Sequence, residues 1–316
     1  MTRRPSKKVR TRRRRVYLAL CGTLASVLVL LLLLEQFRSS PDLPDVPEEA
    51  VAESPAVPEE EPPAPQVKPQ EKRSSAPPKD PAPPVPQPPA AASPMARVAI
   101  IIDDVGYDSD LDALAVGIPF PLTFSVLPGL DSSAASAVRL GAAGCEIMLH
   151  LPMEPENYPE KNPGPGALYT FMTHDEIRHT IRENILSVPG ASGVNNHMGS
   201  LFTLREDLLK VVLEELRGEG LFFVDSRTVT GTAAQKVARR LGVPTARRAV
   251  FLDNVEDGAA IAAQLEQLFQ VAARDHTAIG IGHYRENTLL VLAAEVPRLR
   301  QQYPGVELVH ASSVVK

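Results

Sequence analysis

The chain has 316 residues, 33 Lys or Arg against 38 Asp or Glu, a formal net charge of −5 and two cysteines. Basic residues crowd the N-terminus, so residues 96–316 hold 19 Lys or Arg against 27 Asp or Glu, a net −8. That balance argues against nucleic-acid binding by the folded part, and Cys21 and Cys145 lie too far apart in character, one in an apolar run and one in the domain, for an internal disulfide.

Nine of the first fifteen residues are Lys or Arg and none is acidic. Residues 16–34 follow without a charge and close in five leucines. About twenty apolar residues span a bilayer, and a positive flank stays in the cytoplasm. A cleaved signal peptide has a shorter apolar region and a small-x-small site. The expectation is an uncleaved, single-pass signal anchor at 16–34 behind a basic cytoplasmic tail at 1–15. The remainder then lies outside the cytoplasm, in the periplasm if the cell has an outer membrane. Residues 35–95 hold 18 of the 31 prolines and almost no aromatics. Such a segment cannot offset the entropy of ordering. It reads as a disordered linker that could reach roughly 190 Å at about 3.1 Å per residue. It is either a tether of chosen length or a plain spacer.

Residues 96–316 suit one large α/β domain. The run 97–102 is apolar without alternation, which reads as a strand buried on both faces. It ends in Asp103 and Asp104. Two acids there are costly unless solvated, paired or bound to a cation; the alternative is that they open a turn and cap the next helix. A helix is expected at 108–116, a strand at 120–127, and a helix at 132–143 capped by Asp131. The strand 146–151 delivers His150. The Pro- and Gly-rich stretch 152–170 is long for a connection and reads as functional. A capping box, Thr173 to Glu176, opens a helix at 174–187. Strand 193–196 leads to His197, helix 205–218 follows, strand 221–224 leads to Asp225, and helix 232–241 comes next. Strand 248–252 leads to Asp253, helix 256–274 follows, and strand 277–281 leads to His283. Helix 287–303 and strand 306–309 close the series. This alternation predicts a parallel α/β fold, an irregular seven- or eight-stranded β/α barrel, with a doubly wound open sheet as the alternative.

In a parallel barrel the strand ends share one face. That face would gather Asp103, Asp104, His150, His197, Asp225, Asp253 and His283. Imidazoles and carboxylates together are the ingredients of a metal site with an open position. They suit Zn²⁺ before Fe²⁺, Co²⁺ or Mn²⁺. His174 and His179 read as helix-surface residues and His276 lies before its strand; the ligand reading extends to none of these, nor to His310.

Residues 97–315 resemble the divergent polysaccharide deacetylases, a distant branch of the polysaccharide and chitin deacetylase superfamily. The motifs are IIDDVGYD at 101–108, EIMLHLPMEP at 146–155 and GVNNHMGS at 193–200, supported by FVDSRT at 223–228 and IGIGHYREN at 279–287. The resemblance implies an irregular β/α barrel and metal-dependent removal of an N- or O-acetyl group from a polysaccharide, with peptidoglycan a candidate. It implies Asp103 as base, Asp104, His150 and His197 as metal ligands, and His283 as the acid that protonates the leaving group. The superfamily's His-x-x-x-His pair becomes His150-Leu-Pro-Met-Glu154 here. Either His197 or Glu154 then completes the ligand set, or the metal is lost. Asn195 and Asn196 are candidates to orient ligands or hold substrate hydroxyls, or else to satisfy turn backbone. Arg227 either pairs with Asp225 or Asp253 or meets substrate. The domain has no Trp for sugar stacking, which leaves Tyr107, Tyr158 and Tyr169. The competing class is a glycan-binding scaffold that keeps the barrel without turnover.

Overall fold

The computed structural model describes residues 95–316. The expected tail at 1–15, anchor at 16–34 and all of the linker but Met95 lie outside the described residues. Among the described residues no helix is long and apolar enough to cross a membrane.

The central strand, β1 (Ala96–Val105), is buried on both faces, and Val98 to Ile102 have no exposed surface. It touches three other strands, all parallel to it. Along one edge Arg97 to Asp103 pair with β8 (Thr277–His283). Along the other, Ala96 to Ala99 pair with β9 (Val306–Val309), and Ile101 to Val105 pair with β2 (Thr123–Val126). The sheet continues through β3 (Glu146–Met153), β4 (Ala191–Met198), β5 (Phe222–Asp225) and β6 (Thr245–Arg247). On the far side β8 pairs with β7 (Val250–Phe251).

The path β6-β5-β4-β3-β2-β1-β8-β7 is the cyclic order of a barrel and has no switch point of the doubly wound kind. It is, however, a curled part-barrel and not a closed one, because no ladder joins β6 to β7 among the described residues. The expected strand at 248–252 is where the sequence reading and the structure part. The Arg248 N–H bonds the Asp225 carbonyl, whereas the Ala249 N–H bonds the Ile279 carbonyl. The chain changes neighbours between those two residues, so the expected strand is cut to β7 and the unexpected β6 precedes it along an open seam.

Helices flank this sheet: α1 (Asp112–Val116), α2 (Ser133–Ala142), α3 (His174–Ser187), α4 (Glu206–Gly218), α5 (Ala234–Leu241), α6 (Gly258–Asp275) and α7 (Glu286–Gln302). Their apolar faces, with Leu140, Ile181, Leu213, Leu265 and Leu292 fully buried, cover the outer side of the strands. The α3 capping box forms as the sequence implies: Thr173 accepts from the Glu176 N–H and Glu176 accepts from the Thr173 N–H. Asp131 does not cap α2. Ser132 occupies that position with a helical backbone and no side-chain bond, and Ser133 instead ties the turn by donating to the Leu127 carbonyl at 2.6 Å. The β3 strand runs two residues further than expected, into Pro152 and Met153, so the long loop begins at Glu154.

Candidate metal centre

Asp103 and Asp104 sit inside the last turn of β1, where the register with β2 slips. Asp104 adopts φ 65°, a left-handed conformation that costs a non-glycine residue energy. The slip turns Asp104 onto the same rim as the ends of β3 and β4. Gly106, at φ 128°, then carries the chain under α2; a Cβ there would stand 2.7 Å from the Ser133 Oγ.

Three donor atoms converge on that rim. Asp104 Oδ1 lies 3.2 Å from His150 Nε2 and 3.0 Å from His197 Nδ1. His197 Nδ1 and His150 Nε2 are 3.2 Å apart. Donors around a tetrahedral ion at about 2.0–2.1 Å stand about 3.3 Å from one another. The near-equilateral triangle therefore fits one divalent ion, and Asp104, His150 and His197 form a group able to hold a metal. Asp104 Oδ1 is moreover buried with no hydrogen-bond donor, a costly state that a cation relieves. Burial would raise the Asp104 carboxyl, but His150 and His197 beside it hold it well below the usual carboxylate range. Burial would likewise lower His150, and the charges of Asp103 and Asp104 outweigh it, pushing the imidazole up to about 9.

Asn195, fully buried on β4, organises one side of the triangle. Its amide nitrogen donates to Asp103 Oδ1 at 2.9 Å and to Ser226 Oγ at 3.2 Å. Its amide oxygen meets His150 Nδ1 at 2.9 Å and accepts from the Ser125 hydroxyl. An ionised Asp103 can only accept, so the amide is fixed in this sense. With Nδ1 committed to the Asn195 oxygen, the proton that His150 would give up to bind a cation is the one on Nε2, the atom that faces Asp104. Asp103 is itself buried, and that burial raises its carboxyl above the ordinary value against the pull of His150 and Asn195. Its second oxygen lies 3.6 Å from His150 Nε2.

His283 occupies the other side, with Nε2 3.9 Å from Asp104 Oδ2. Asp253, almost wholly buried, fixes it twice: one oxygen accepts the His283 backbone N–H at 2.7 Å, the other faces Nδ1 at 2.9 Å. Thr288 donates to the same carboxylate at 2.8 Å. Burial alone would lower His283, and the Asp253 contact outweighs it and raises the imidazole. Asp253 was visible from the sequence only as another strand-end acid; its partnership with His283 depends on the parallel placement of β7 and β8, which no local spacing encodes.

The remaining candidates lie outside the triangle. Glu154 is buried, but its carboxylate accepts the Thr170 N–H at 2.6 Å and its backbone pairs with Leu168, which pins the 154–173 loop. Asn196, within β4, accepts the Ser226 N–H from beyond the end of β5 and donates to the Met198 carbonyl of its own strand. The Arg227 side chain pairs with neither Asp225 nor Asp253; it is the Arg227 backbone N–H that meets Asp225, at 2.8 Å. On the loop that Glu154 pins, Tyr169 stacks on Phe171 with centroids 5.1 Å apart, and Tyr158 packs on Tyr169 at 4.9 Å. Phe171 is 72% exposed, so the stack offers a ring face to solvent. Phe171 escaped the sequence reading, which looked for tyrosines.

A curled parallel β/α sheet with an Asp-His-His triangle on its C-terminal rim thus defines the class of protein. Residues 100–315 match the model of the divergent polysaccharide deacetylases, and the chain belongs to that family. It is 35% identical over 221 residues to the uncharacterised protein YibQ of Escherichia coli K12, covering 69% of this chain and 67% of that one. It is 32% identical over 203 residues to an uncharacterised protein of Haemophilus influenzae, covering 64% and 72%. Its fold matches the crystal structure of the uncharacterised protein ATU2773 of Agrobacterium tumefaciens C58 with a TM-score of 0.66 at 24% identity, covering 72% of this chain and 92% of that one.

Proposed function

We propose that the protein is a metal-dependent hydrolase that removes acetyl groups from an envelope polysaccharide. The observation that carries this reading is the donor triangle flanked by two anchored groups, buried Asp103 held by the Asn195 amide and half-buried His283 held by the Asp253 carboxylate. A divalent ion there, zinc by the donor set, would polarise an acyl carbonyl and acidify a water. Asp103, with one oxygen tied to Asn195 and the other facing the triangle, takes the proton from the attacking water. Its raised pKa makes it a better base than an exposed aspartate. His283, with Nδ1 committed to Asp253, presents Nε2 to the site. Its raised pKa keeps the proton ready for the departing sugar amine or hydroxyl. The Tyr169–Phe171 stack supplies a face for a sugar ring in place of Trp.

The same reading places the domain outside the cytoplasm, tethered by residues 16–34. A reporter that works only in the cytoplasm, fused after residue 95, should be silent. The activity itself is tested by assaying the purified protein, with its ion measured, for acetate release from N- and O-acetylated glycan oligomers. Release that depends on Asp103 and His283 supports the reading. A protein that binds such oligomers and releases nothing is a glycan-binding scaffold instead.

A further inference from the structure

The seam between β6 and β7 collects positive charge in a domain that is negative overall. Five of the domain's 15 arginines, Arg227, Arg239, Arg247, Arg248 and Arg274, line a groove of about 550 Å³ there, between α5 and α6. One of its 27 acidic side chains, Asp275, does so, and it is paired with Arg274 at 2.7 Å. Among the described residues the other four guanidinium groups have no carboxylate partner within 4.0 Å. A second concavity, of about 460 Å³, shares Arg227, Arg248 and Ala249 with the first, so the two form one continuous groove. Burial and the neighbouring Arg227 push the Arg248 guanidinium down from its ordinary value against the pull of Asp103 and Asp225; Arg248 is held in place by donating to the Ser226 carbonyl at 2.7 Å and the Arg227 carbonyl at 3.0 Å.

The groove ends beside the metal centre. The Arg248 guanidinium lies 4.7 Å over the Phe251 ring, and that ring meets the His283 imidazole edge to face at 5.3 Å. We propose that the seam groove is an anion-binding subsite, which holds the oxyanions, carboxylate or phosphate, of a polyanionic glycan whose acetylated residue lies at the Asp104–His150–His197 centre. The second half of that statement rests on the deacetylase reading; the first does not. Arginine forks match carboxylate and phosphate oxygens in pairs. A cleft walled by two helices admits one polymer chain and gives a flat bilayer little to touch, and the net −8 of the domain disfavours nucleic acid. The subsite would select a charged polymer over a neutral one.

The test is binding by the full chain, at low salt, of a hyaluronan octasaccharide, which alternates N-acetylated and carboxylated sugars, and of an uncharged chitin oligomer of equal length. Hyaluronan should bind at least tenfold more tightly, and added salt should erase the difference. The double variant Arg239→Glu, Arg247→Glu, both exposed and outside the metal centre, should lose at least tenfold in hyaluronan affinity while its melting temperature and ion content stay unchanged. Displacement of hyaluronan by pyrophosphate more readily than by glucuronate assigns the oxyanion as phosphate, and the reverse order assigns it as carboxylate. Equal affinity for both oligomers overturns the proposal. So does an unaltered double variant, which would leave the arginines as guards of two open strand edges, and so does binding to anionic vesicles without binding to hyaluronan. Groove-dependent binding by a protein that releases no acetate would keep the subsite and sink the deacetylase. Acetate release from chitin oligomers without groove-dependent binding would do the opposite.

Discussion

Substituting Asn195 by Asp separates the metal from the base. The change keeps the side chain's size and leaves an acceptor against His150 Nδ1, 2.9 Å away, and against Ser125. It replaces the donor that faces Asp103 Oδ1 at 2.9 Å by a second carboxylate oxygen. Two buried carboxylates at that distance cannot both ionise, so one proton is retained between them at neutral pH. Asp103 would then no longer be a free base. A positioned base contributes about 10²–10⁴-fold, and acetate release should fall by that factor. The triangle's own atoms are untouched, so the ion content measured by plasma mass spectrometry should stay at the wild-type level. Asn195→Ala should behave differently. It strips partners from both Asp103 and His150, at about 1–3 kcal/mol per unsatisfied buried group, so stability should drop by about 2–6 kcal/mol. Loss of an outer partner of a ligating histidine should also weaken ion binding by about 10–100-fold. Chemical denaturation and a competitive chelator titration read these two effects. An Asn195→Asp protein with full ion content and full acetate release would refute both the role of Asp103 and its dependence on Asn195.

Three further outcomes are expected. Ala at Asp104, His150 or His197 should each empty the centre of its ion, whereas Glu154→Gln should keep it; loss of the ion in the Gln variant would make Glu154 a ligand. Asp253→Asn should narrow the pH range in which the metal-free protein is most stable. His283 is raised above its unfolded value of 6.5, so its share is complete below that pH and lost as pH rises through the folded value; Asp253 is lowered from 3.8, so its share is present above that pH and lost as pH falls through the folded value. The melting-temperature gap between wild type and Asp253→Asn should therefore be widest between about pH 4 and 6.5 and shrink on either side; a gap independent of pH would refute the ion pair. Phe171→Ala should raise KM for glycan oligomers with the melting temperature unchanged, since its ring is exposed; an unchanged KM would remove the stack from the substrate path.

Where a rule is local, the sequence displays it. The run ending in Asp103 and Asp104, the Thr173–Glu176 box and the last strand at Val306–Val309 were all readable because period, capping and burial act over a few residues. The strand-end histidines were readable for a related reason: an imidazole closing an apolar run is placed on the rim by strand geometry alone. What was hidden is what depends on neighbours distant in sequence. The exchange of strand partners at Arg248–Ala249 shortened the expected strand 248–252 to Val250–Phe251, set an unexpected strand at Thr245–Arg247 before it, and left the barrel open. The left-handed Asp104, and with it the rotation that brings its carboxylate to His150 and His197, follows from a register slip against β2. Asn195 was a candidate to orient ligands, but its bonds to His150 and Asp103 could not be read, and Asp253 looked like one more strand-end acid, because their partners come from other strands. Asp131 shows the opposite failure, a good capping residue in a turn that Ser133 closes first.

The three-sided pairing of β1 has a consequence for the order in which the protein can be made. β1 leaves the ribosome before any other strand of the domain, yet two of its three partners, β8 and β9, lie in the last forty residues. Contacts of such separation form late, after the loop entropy of the intervening chain has been overcome. Until residue 309 is available, the strand that bears Asp103 and Asp104 has an open edge and no fixed rim on which to hold them. A nascent chain, or one cut short before β8, thus carries an unpaired apolar strand at the start of the domain. Chaperone capture during synthesis would act on that strand, and closure of its edges by β8 and β9 would be the last event in folding.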